Sequence, residues 1–585
     1  MAKLSVIGSS NKFLIPLIFL FAFALRLWNL DYSFSNDELS AVMRANENSL
    51  NDIISQGVLI DFHPAGIQVF LTYWINIFGN SEIAVRFPFA IFGSIASVFA
   101  FIIARKNFGL TPALLTAIAI SSLEFSLLHG QLARPYSSGL MLIMIAYWLW
   151  DKIIFDNSLS KKELILNSVA LAIIFAASAY NHYFSALSSV ILALCGLFFI
   201  PKKRIPYYIG TGLLSAILFI PHISITLYHL SKGSIGSWLS APKSDFLYTH
   251  ILHIFNDSLF LLLSTVMLVG LYAVLAKNNS NKNLLKARFI LLFLFLMPII
   301  IGYTYSVTIG PVLQNRILLF NMPYLLMFIF SFINDGYNKK LVIIPISIAS
   351  LIIAHTVFIN KYYSTQHFIN FKSIAQQCDT TVSNDYNILR IQNSNSSSYL
   401  KYYLKDPTTD YAIYQLNSEE NIRKLKTILD TSNANYCEFV NLRPINNLSK
   451  VMINSSFWNI DKFSIDKWQN GYTLYKRSNI WPFITNSTNT LAYRSYTNDT
   501  LSIINTEYSD GINYNSTKNN TLLIIVNIKT KKPRAECIRI SKIFSETGMS
   551  DIYFPRGNSP IINSAEIQCI AIVPLLYLLL SIFDY

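Results

Sequence analysis

Charge is what this sequence has least of. Only 13% of its 585 residues are Asp, Glu, Lys or Arg, while 52% are hydrophobic. A soluble domain usually carries about 25% charged residues, so a water-exposed globule over the whole length is excluded. The deficit falls before residue 360, where apolar runs of about 20 residues, the length of a bilayer-spanning helix, recur between short polar breaks. Those runs do not alternate in polarity, which excludes a transmembrane barrel. Cysteine is scarce too: Cys195, Cys378, Cys437, Cys537 and Cys569 show no CxxC or CxxH spacing, so no metal cluster is expected. Cys378 and Cys437 are either a disulfide or two free thiols. A small-residue cleavage site is missing after the first apolar run, which therefore reads as a retained span.

The formal net charge is +14. Many of the cations lie in short loops between spans, where they report membrane orientation rather than nucleic-acid binding. The expected spans are 13–30, 87–104, 112–128, 135–155, 164–180, 183–200, 207–228, 258–276, 289–305, 312–332 and 341–359. Residues 64–78 are apolar, but at 1.5 Å per residue they reach only about 22 Å, short of a hydrocarbon core of about 30 Å. If that stretch is a juxtamembrane or re-entrant helix, the loops ARKNFG, SKKE, PKKR, KNNSNKNLLKAR and NDGYNKK all fall on the cytoplasmic side. This scheme gives about eleven spans and an extracytoplasmic tail.

Three regions follow: a membrane domain over 1–360, whose first outer loop is 31–86, an α/β domain over 361–477, and a β-rich, sandwich-like domain over 478–585. The α/β reading rests on the amphipathic SEENIRKLKTIL and the strands YAIYQL and GYTLYKR. The β reading rests on TLAYRSY, TLLIIVNIK and AECIRISKIF. The final CIAIVPLLYLLLSIFDY is broken by Pro574 and reads as strands rather than a last span.

Ionisable residues at the membrane mouth are costly, so each is a candidate for function. The first outer loop holds six acids up to His63 against one base, Arg44. Two short amphipathic helices are expected in it, near 38–45 and 51–56, lying on the membrane plane. Asp37 and Glu38 form a carboxylate pair suited to general-base work, although SNDEL also reads as a capped helix start. His63 precedes Pro64 at the start of the short helix. Arg134 (QLARPYS, beside Tyr136) and Arg316 (beside Gln314) sit at the outer ends of spans. Their guanidinium forks suit phosphate oxygens, and snorkelling is the plainer alternative. His182 lies in another outer turn, and Trp238 in a polar loop could stack on a sugar. Two Arg and two His on one membrane face, opposite a carboxylate pair, fit a substrate with an anionic head and a lipid tail. A sugar linked to a lipid phosphate has those properties.

The ordered set NDELS, DFHPAGIQVFLTYWINIFG, NSEIAVRFPFAIFGSIASVFAFIIARKNFG, QLARPYS, YNHYF and QNRILLFNMPYLL, covering about residues 13–360, resembles the GT-C membrane glycosyltransferases. The resemblance is to the branch with protein O-mannosyltransferases and the lipid A aminoarabinose transferase. It implies a GT-C fold and inverting transfer from a polyprenyl-phosphate sugar, outside the cytoplasm, to a lipid, glycan or protein acceptor. Asp37 would be the base, Glu38 its support, and His63, Arg134 and Arg316 the donor-phosphate contacts. Tyr136, His182, Trp238 and Gln314 are candidate substrate contacts. No obligatory metal or other cofactor is expected. The family often has two prolines after the His, whereas Ala65 follows Pro64 here. A lipid-linked-sugar flippase or a non-catalytic glycan receptor would share the spans; a flippase would show inverted repeats, and no internal repeat is visible.

Overall fold

The computed structural model describes residues 9–46, 49–232, 239–276, 282–333, 339–381, 387–394, 398–416, 419–443, 458–465 and 470–477, with further short strands between 482 and 574. The chain divides into two compact units, Met1–His367 and Phe368–Tyr585.

The first unit is helical. Its helices are α1 (Ser9–Leu27), α2 (Asn36–Met43), the single turn α3 (Leu50–Asp52), α4 (Ala65–Phe78), α5 (Glu82–Phe108), α6 (Leu110–Ser122), α7 (Glu124–Gly130), α8 (Pro135–Phe155) and α9 (Lys161–Asn181). There follow α10 (Tyr183–Leu197), α11 (Ile205–Phe219), α12 (Ile223–Ser231), α13 (Phe246–Ile254), α14 (Leu259–Leu275), α15 (Lys282–Thr308), α16 (Met322–Phe330) and α17 (Ile343–Ala354). Every expected span coincides with an apolar helix. Among the described residues six helices are long and apolar enough to cross a membrane, or up to eight if each bent pair counts once. The remaining three expected spans, at Phe13–Leu27, Tyr183–Leu197 and Asn315–Phe330, are shorter. Residues 64–78 form α4, a helix of 14 residues.

The departures from straight spans have local causes. Between α6 and α7 the axis turns by 60° at Leu123, whose backbone is extended. The Glu124 N–H freed by that turn donates to the Asn256 side chain at 2.8 Å. Helices α13 and α14 meet at 78° where Asn256 and Asp257 have φ of 59° and 53°, a left-handed region that Asn and Asp tolerate. Asn256 thus sits at one break and caps the other. Where the first loop was expected to hold helices near 38–45 and 51–56, α2 continues into a 3₁₀ turn at Arg44–Asn46. There α3 runs into a π-helix at Ile53–Val58.

The core is apolar and continuous, with Phe101, Trp150, Phe320 and Tyr324 almost fully enclosed. The Trp150 indole N–H donates to the Tyr208 hydroxyl at 3.0 Å, so even its polar atom is matched. Side chains such as Leu213, Met267 and Val274 instead face outward at 61%, 71% and 76% exposure. Apolar residues presented this widely on helices suit hydrocarbon rather than water as the surrounding solvent.

In the second unit α18 (Phe371–Thr381) precedes a five-stranded sheet ordered β2-β1-β3-β5-β4. Its strands are β1 (Ile388–Asn393), β2 (Ala412–Tyr414), β3 (Tyr436–Asn441), β4 (Trp458–Ile465) and β5 (Gly471–Arg477). Helices α19 (Ser398–Lys401) and α20 (Glu419–Thr431) connect β1 to β2 and β2 to β3. Strand β1 pairs in parallel with both β2 and β3, while β5 runs antiparallel to β3 and β4. Cys378 and Cys437 are buried free thiols. Further on, β6 (Pro482–Phe483) and β7 (Ala492–Tyr493) pair with each other. A second five-stranded sheet, ordered β11-β12-β10-β9-β8, is built of β8 (Thr500–Ile503), β9 (Ile512–Thr517), β10 (Thr521–Lys529), β11 (Ile552–Tyr553) and β12 (Glu566–Pro574). TLLIIVNIK is β10, and CIAIVP falls in β12. AECIRISKIF and residues 575–585 lie outside the described residues.

Candidate active site

Helix α2 begins with a capping box. The Ser35 hydroxyl accepts from the Glu38 N–H, and the Glu38 carboxylate accepts from the Ser35 backbone at 2.9 Å. Such reciprocal capping satisfies two orphan donors, and here it also aims Glu38 inward. Glu38 is fully buried. Its Oε1 accepts from Arg86 Nε at 2.8 Å and from the Ala133 N–H at 2.9 Å; its Oε2 accepts from Arg86 Nη2 at 2.7 Å. Arg86, in the first turns of α5, also donates to the carbonyls of Leu30, Tyr32 and Ser33. One side-chain pair therefore joins the segment after α1, the start of α2, α5 and the turn before α8. Burial alone would raise the Glu38 carboxyl, but Arg86 and the Ala133 and Ser35 amides hold it below its ordinary value.

Asp37, one residue earlier, points the other way. Its side chain is 47% exposed and its Oδ2 accepts from Arg316 Nη1 at 2.6 Å. Arg316 belongs to the 3₁₀ helix Asn315–Asn321 and is itself 31% exposed. Arg134, at the N-cap of α8 and 6% exposed, donates to the Asp37 backbone carbonyl at 3.3 Å and lies 3.6 Å from Asp61 Oδ2. Its Nη2 is 3.4 Å from both ring nitrogens of His63, and its Nε is buried with no partner. Asp61 Oδ2 also meets Arg44 at 2.7 Å, and its Oδ1 meets His63 at 3.3 Å.

Two carboxylates, Asp37 and Asp61, thus meet Arg44, His63, Arg134 and Arg316 at one end of the bundle. For Asp37 the penalty of burial is outweighed by Arg134, Arg316 and His63, which hold its carboxyl below the usual value of 3.8. Asp61 is pushed further down, by His63, Arg134 and Arg44. Arg134 is raised: desolvation opposes its charge, but Asp61, Tyr136 and Asp37 more than offset it.

The other expected residues stand around this cluster. His182 caps α10, its Nδ1 accepting the Phe184 N–H at 3.0 Å, which leaves the proton on Nε2. Burial and the neighbouring His63, Arg134 and Arg316 lower its pKa well below 6.5, so the ring is neutral. It packs against His63 with ring centroids 5.4 Å apart and against Tyr136 at 6.3 Å. Tyr136 is buried, with the His129 ring edge-on at 4.9 Å. Gln314 is half-buried at the N-cap of the helix bearing Arg316. Trp238 lies outside the described residues.

Asp61, Arg44 and Arg86 were not among the residues expected at the site. Arg86 met the same criterion as Arg134, an ionisable residue at the mouth of a span, and Asp61 stands in DFHPAG itself. Among the described residues no group of three or more His, Cys, Asp or Glu could hold a metal ion.

Gly66 sets how closely α4 approaches. A Cβ there would lie 2.6 Å from the Tyr180 carbonyl oxygen at the end of α9, against backbone that cannot yield. Gly66→Ala is therefore expected to displace the His63 turn and to lower the thermal midpoint of the purified protein by several degrees. A wild-type melting curve for that variant would refute the close approach.

Residues 62–225 match the family model described as dolichyl-phosphate-mannose-protein mannosyltransferase. A protein of Aquifex aeolicus (strain VF5), described as uncharacterized, is 25% identical over 209 residues, which are 34% of this chain and 40% of that protein. The chain thus spans two-fifths of the length of the curated relative it matches. Among solved structures, ArnT from Cupriavidus metallidurans bound to undecaprenyl phosphate aligns with a TM-score of 0.48 at 9% identity, covering 81% of this chain and 99% of that one. The Archaeoglobus fulgidus oligosaccharyltransferase in complex with Zn and sulfate aligns at 0.33 and 11%, covering 78% and 72%. The family match takes in the His63 turn, Arg134 and His182.

Proposed function

We propose that this chain moves a sugar from a polyprenyl-phosphate-linked donor to an acceptor hydroxyl or phosphate of a lipid, glycan or protein, at the outer face of the plasma membrane. The observation that carries this reading is the open Asp37 carboxylate, 2.6 Å from Arg316, with Arg134 on the same residue's carbonyl. A base and two guanidinium groups within one substrate's reach are what the transfer requires. The matched family's description names a dolichyl-phosphate sugar, which supports a lipid-phosphate donor.

In this reading the acceptor oxygen attacks the anomeric carbon from the face opposite the phosphate. The bond from that carbon to the phosphate oxygen breaks, its electron pair leaves with the polyprenyl phosphate, and the configuration inverts. Asp37 orients the acceptor hydroxyl and takes its proton as the new bond forms. Arg316, Arg134 and His63 stabilise the growing charge on the leaving phosphate, so no metal is obligatory. Glu38 touches no substrate and acts by holding α2 against α5 and Ala133.

Purified protein in lipid nanodiscs, supplied with an undecaprenyl-phosphate sugar and envelope glycan or lipid acceptors, tests the reading. Release of undecaprenyl phosphate with labelled acceptor supports it. Passage of the donor across the bilayer without transfer would mark a flippase, and saturable binding alone a receptor. Arg316→Ala is expected to weaken undecaprenyl phosphate binding by roughly tenfold, the scale of one lost charge-assisted hydrogen bond. Unchanged affinity in a titration would remove Arg316 from the donor site.

A further inference from the structure

The turn that carries Asp61 and His63 is braced from outside the site, and its brace answers a peculiarity of the sequence. Ala65 is the first residue of α4, and helix starts leave their N–H groups without partners. Here the Ala65 N–H donates to His222 Nε2 at 3.0 Å. His222 ends the 3₁₀ turn Ile220–His222 that leads into α12, and its Nδ1 lies 2.9 Å from the Thr226 hydroxyl. Because Nε2 accepts, the ring proton is on Nδ1 and the tautomer is fixed.

Two helical turns on, His229 makes the opposite bond. Its Nε2 donates to the Val58 carbonyl at 3.1 Å, and its Nδ1 accepts from the Tyr183 hydroxyl at 2.8 Å. Between the two histidines Ile225 is packed with Val58 and Ala65 in a small buried cluster. The spacing 222, 225, 229 puts the three on one helical face, and they grip the chain at 58 and 65, on either side of Asp61 and His63.

Position 65 is the first helical residue of α4 and follows Pro64 directly. Pro64 has φ −58° and ψ 156°, the extended conformation that a residue preceding proline must take. Proline is favoured at the first helical position because it has no N–H to satisfy. The backbone is thus already set for proline at 65; alanine brings an N–H that needs an acceptor.

We propose that His222 is a positioning residue for the donor site: it fixes the His63 turn by accepting the Ala65 N–H, and His229 holds the turn's other end. The donor-binding part of this inference rests on the function proposed above; the backbone part does not. The experiment uses the full chain in detergent, with undecaprenyl phosphate as the binding probe and peptide-level hydrogen exchange over residues 61–70. His222→Ala is expected to weaken binding about tenfold and to speed exchange in that segment, because the amide is left unpaired. Ala65→Pro alone should be impaired, because the proline Cδ takes the place of the amide hydrogen and meets His222 Nε2, only 3.0 Å from the Ala65 nitrogen. The double variant, Ala65→Pro with His222→Ala, removes donor and acceptor together and should recover binding and protection to within about threefold.

A double variant as impaired as His222→Ala overturns the proposal, as does wild-type exchange in His222→Ala. Ala65→Pro that binds like the wild type overturns it as well, since the proline ring and the His222 imidazole cannot share that space. If His222→Ala does not fold, recovery by the double variant carries the test. Should the wild type not bind undecaprenyl phosphate at all, the functional reading fails, and exchange alone decides the role of His222.

Discussion

Asp37→Asn is expected to lower sugar transfer by roughly two to four orders of magnitude, the usual contribution of a positioned general base, while donor binding persists. The substitution is nearly isosteric. The amide oxygen still accepts from Arg316, now 2.6 Å from the carboxylate, and the Arg134 bond goes to the Asp37 backbone, which the change leaves alone. What disappears is an oxygen able to take a proton. Arg316 also loses its counter-charge, so its guanidinium is freer for phosphate, and affinity for undecaprenyl phosphate should be equal to wild type or higher. Turnover near the wild-type rate would place the base elsewhere. Loss of donor binding alongside turnover would make Asp37 a structural residue of the pocket.

The pH profile gives a second check on the same carboxylate. Arg134 and Arg316 hold the Asp37 carboxyl below 3.8, so it is ionised across the neutral range and protonates only as pH falls through that lowered value. Transfer should therefore show no acid limb from Asp37 above about pH 4. In Arg316→Ala the carboxyl moves back up, and an acid limb should shift upward with it. An Asp37-dependent limb near neutrality would contradict the ion pair.

Parts of this arrangement were legible because the cause was local. Pro135 at a helix start and the long apolar run behind it define α8 over the residues expected. The rule that charged residues at a membrane mouth are costly picked out Asp37, His63, Arg134 and Arg316, which the fold brings together. The turn between α6 and α7 was not legible, since the group that completes it, Asn256, lies far along the chain. Nor was the division of labour in the acidic pair. Successive helical residues point about 100° apart, so adjacency sends Asp37 and Glu38 to different surroundings. Which of them faces solvent depends on Arg86, 48 residues beyond Glu38.

That division leads to the largest expected effect on stability. Arg86→Ala removes the partner of a carboxylate with 0% side-chain exposure and takes a donor from the carbonyls of Leu30, Tyr32 and Ser33. Breaking a buried pair by deleting one member costs about 3–5 kcal/mol, because the remaining charge is left uncompensated. Glu38→Ala removes the counter-charge of Arg86 and the acceptor of the Ala133 amide. Arg86→Lys keeps the charge but not the fork that reaches both carboxylate oxygens and three carbonyls, so it should recover little. The double variant, Glu38→Ala with Arg86→Ala, is expected to be more stable than the two single losses added together. Because the Glu38 carboxyl is held below its ordinary 4.5, its contribution is complete above that pH and is lost as pH falls through the lowered value. Thermal unfolding in detergent at neutral and acid pH reads all of this. Single variants that melt with the wild type at neutral pH would show that the pair carries no such load, and that α2 is held in place by its apolar residues alone.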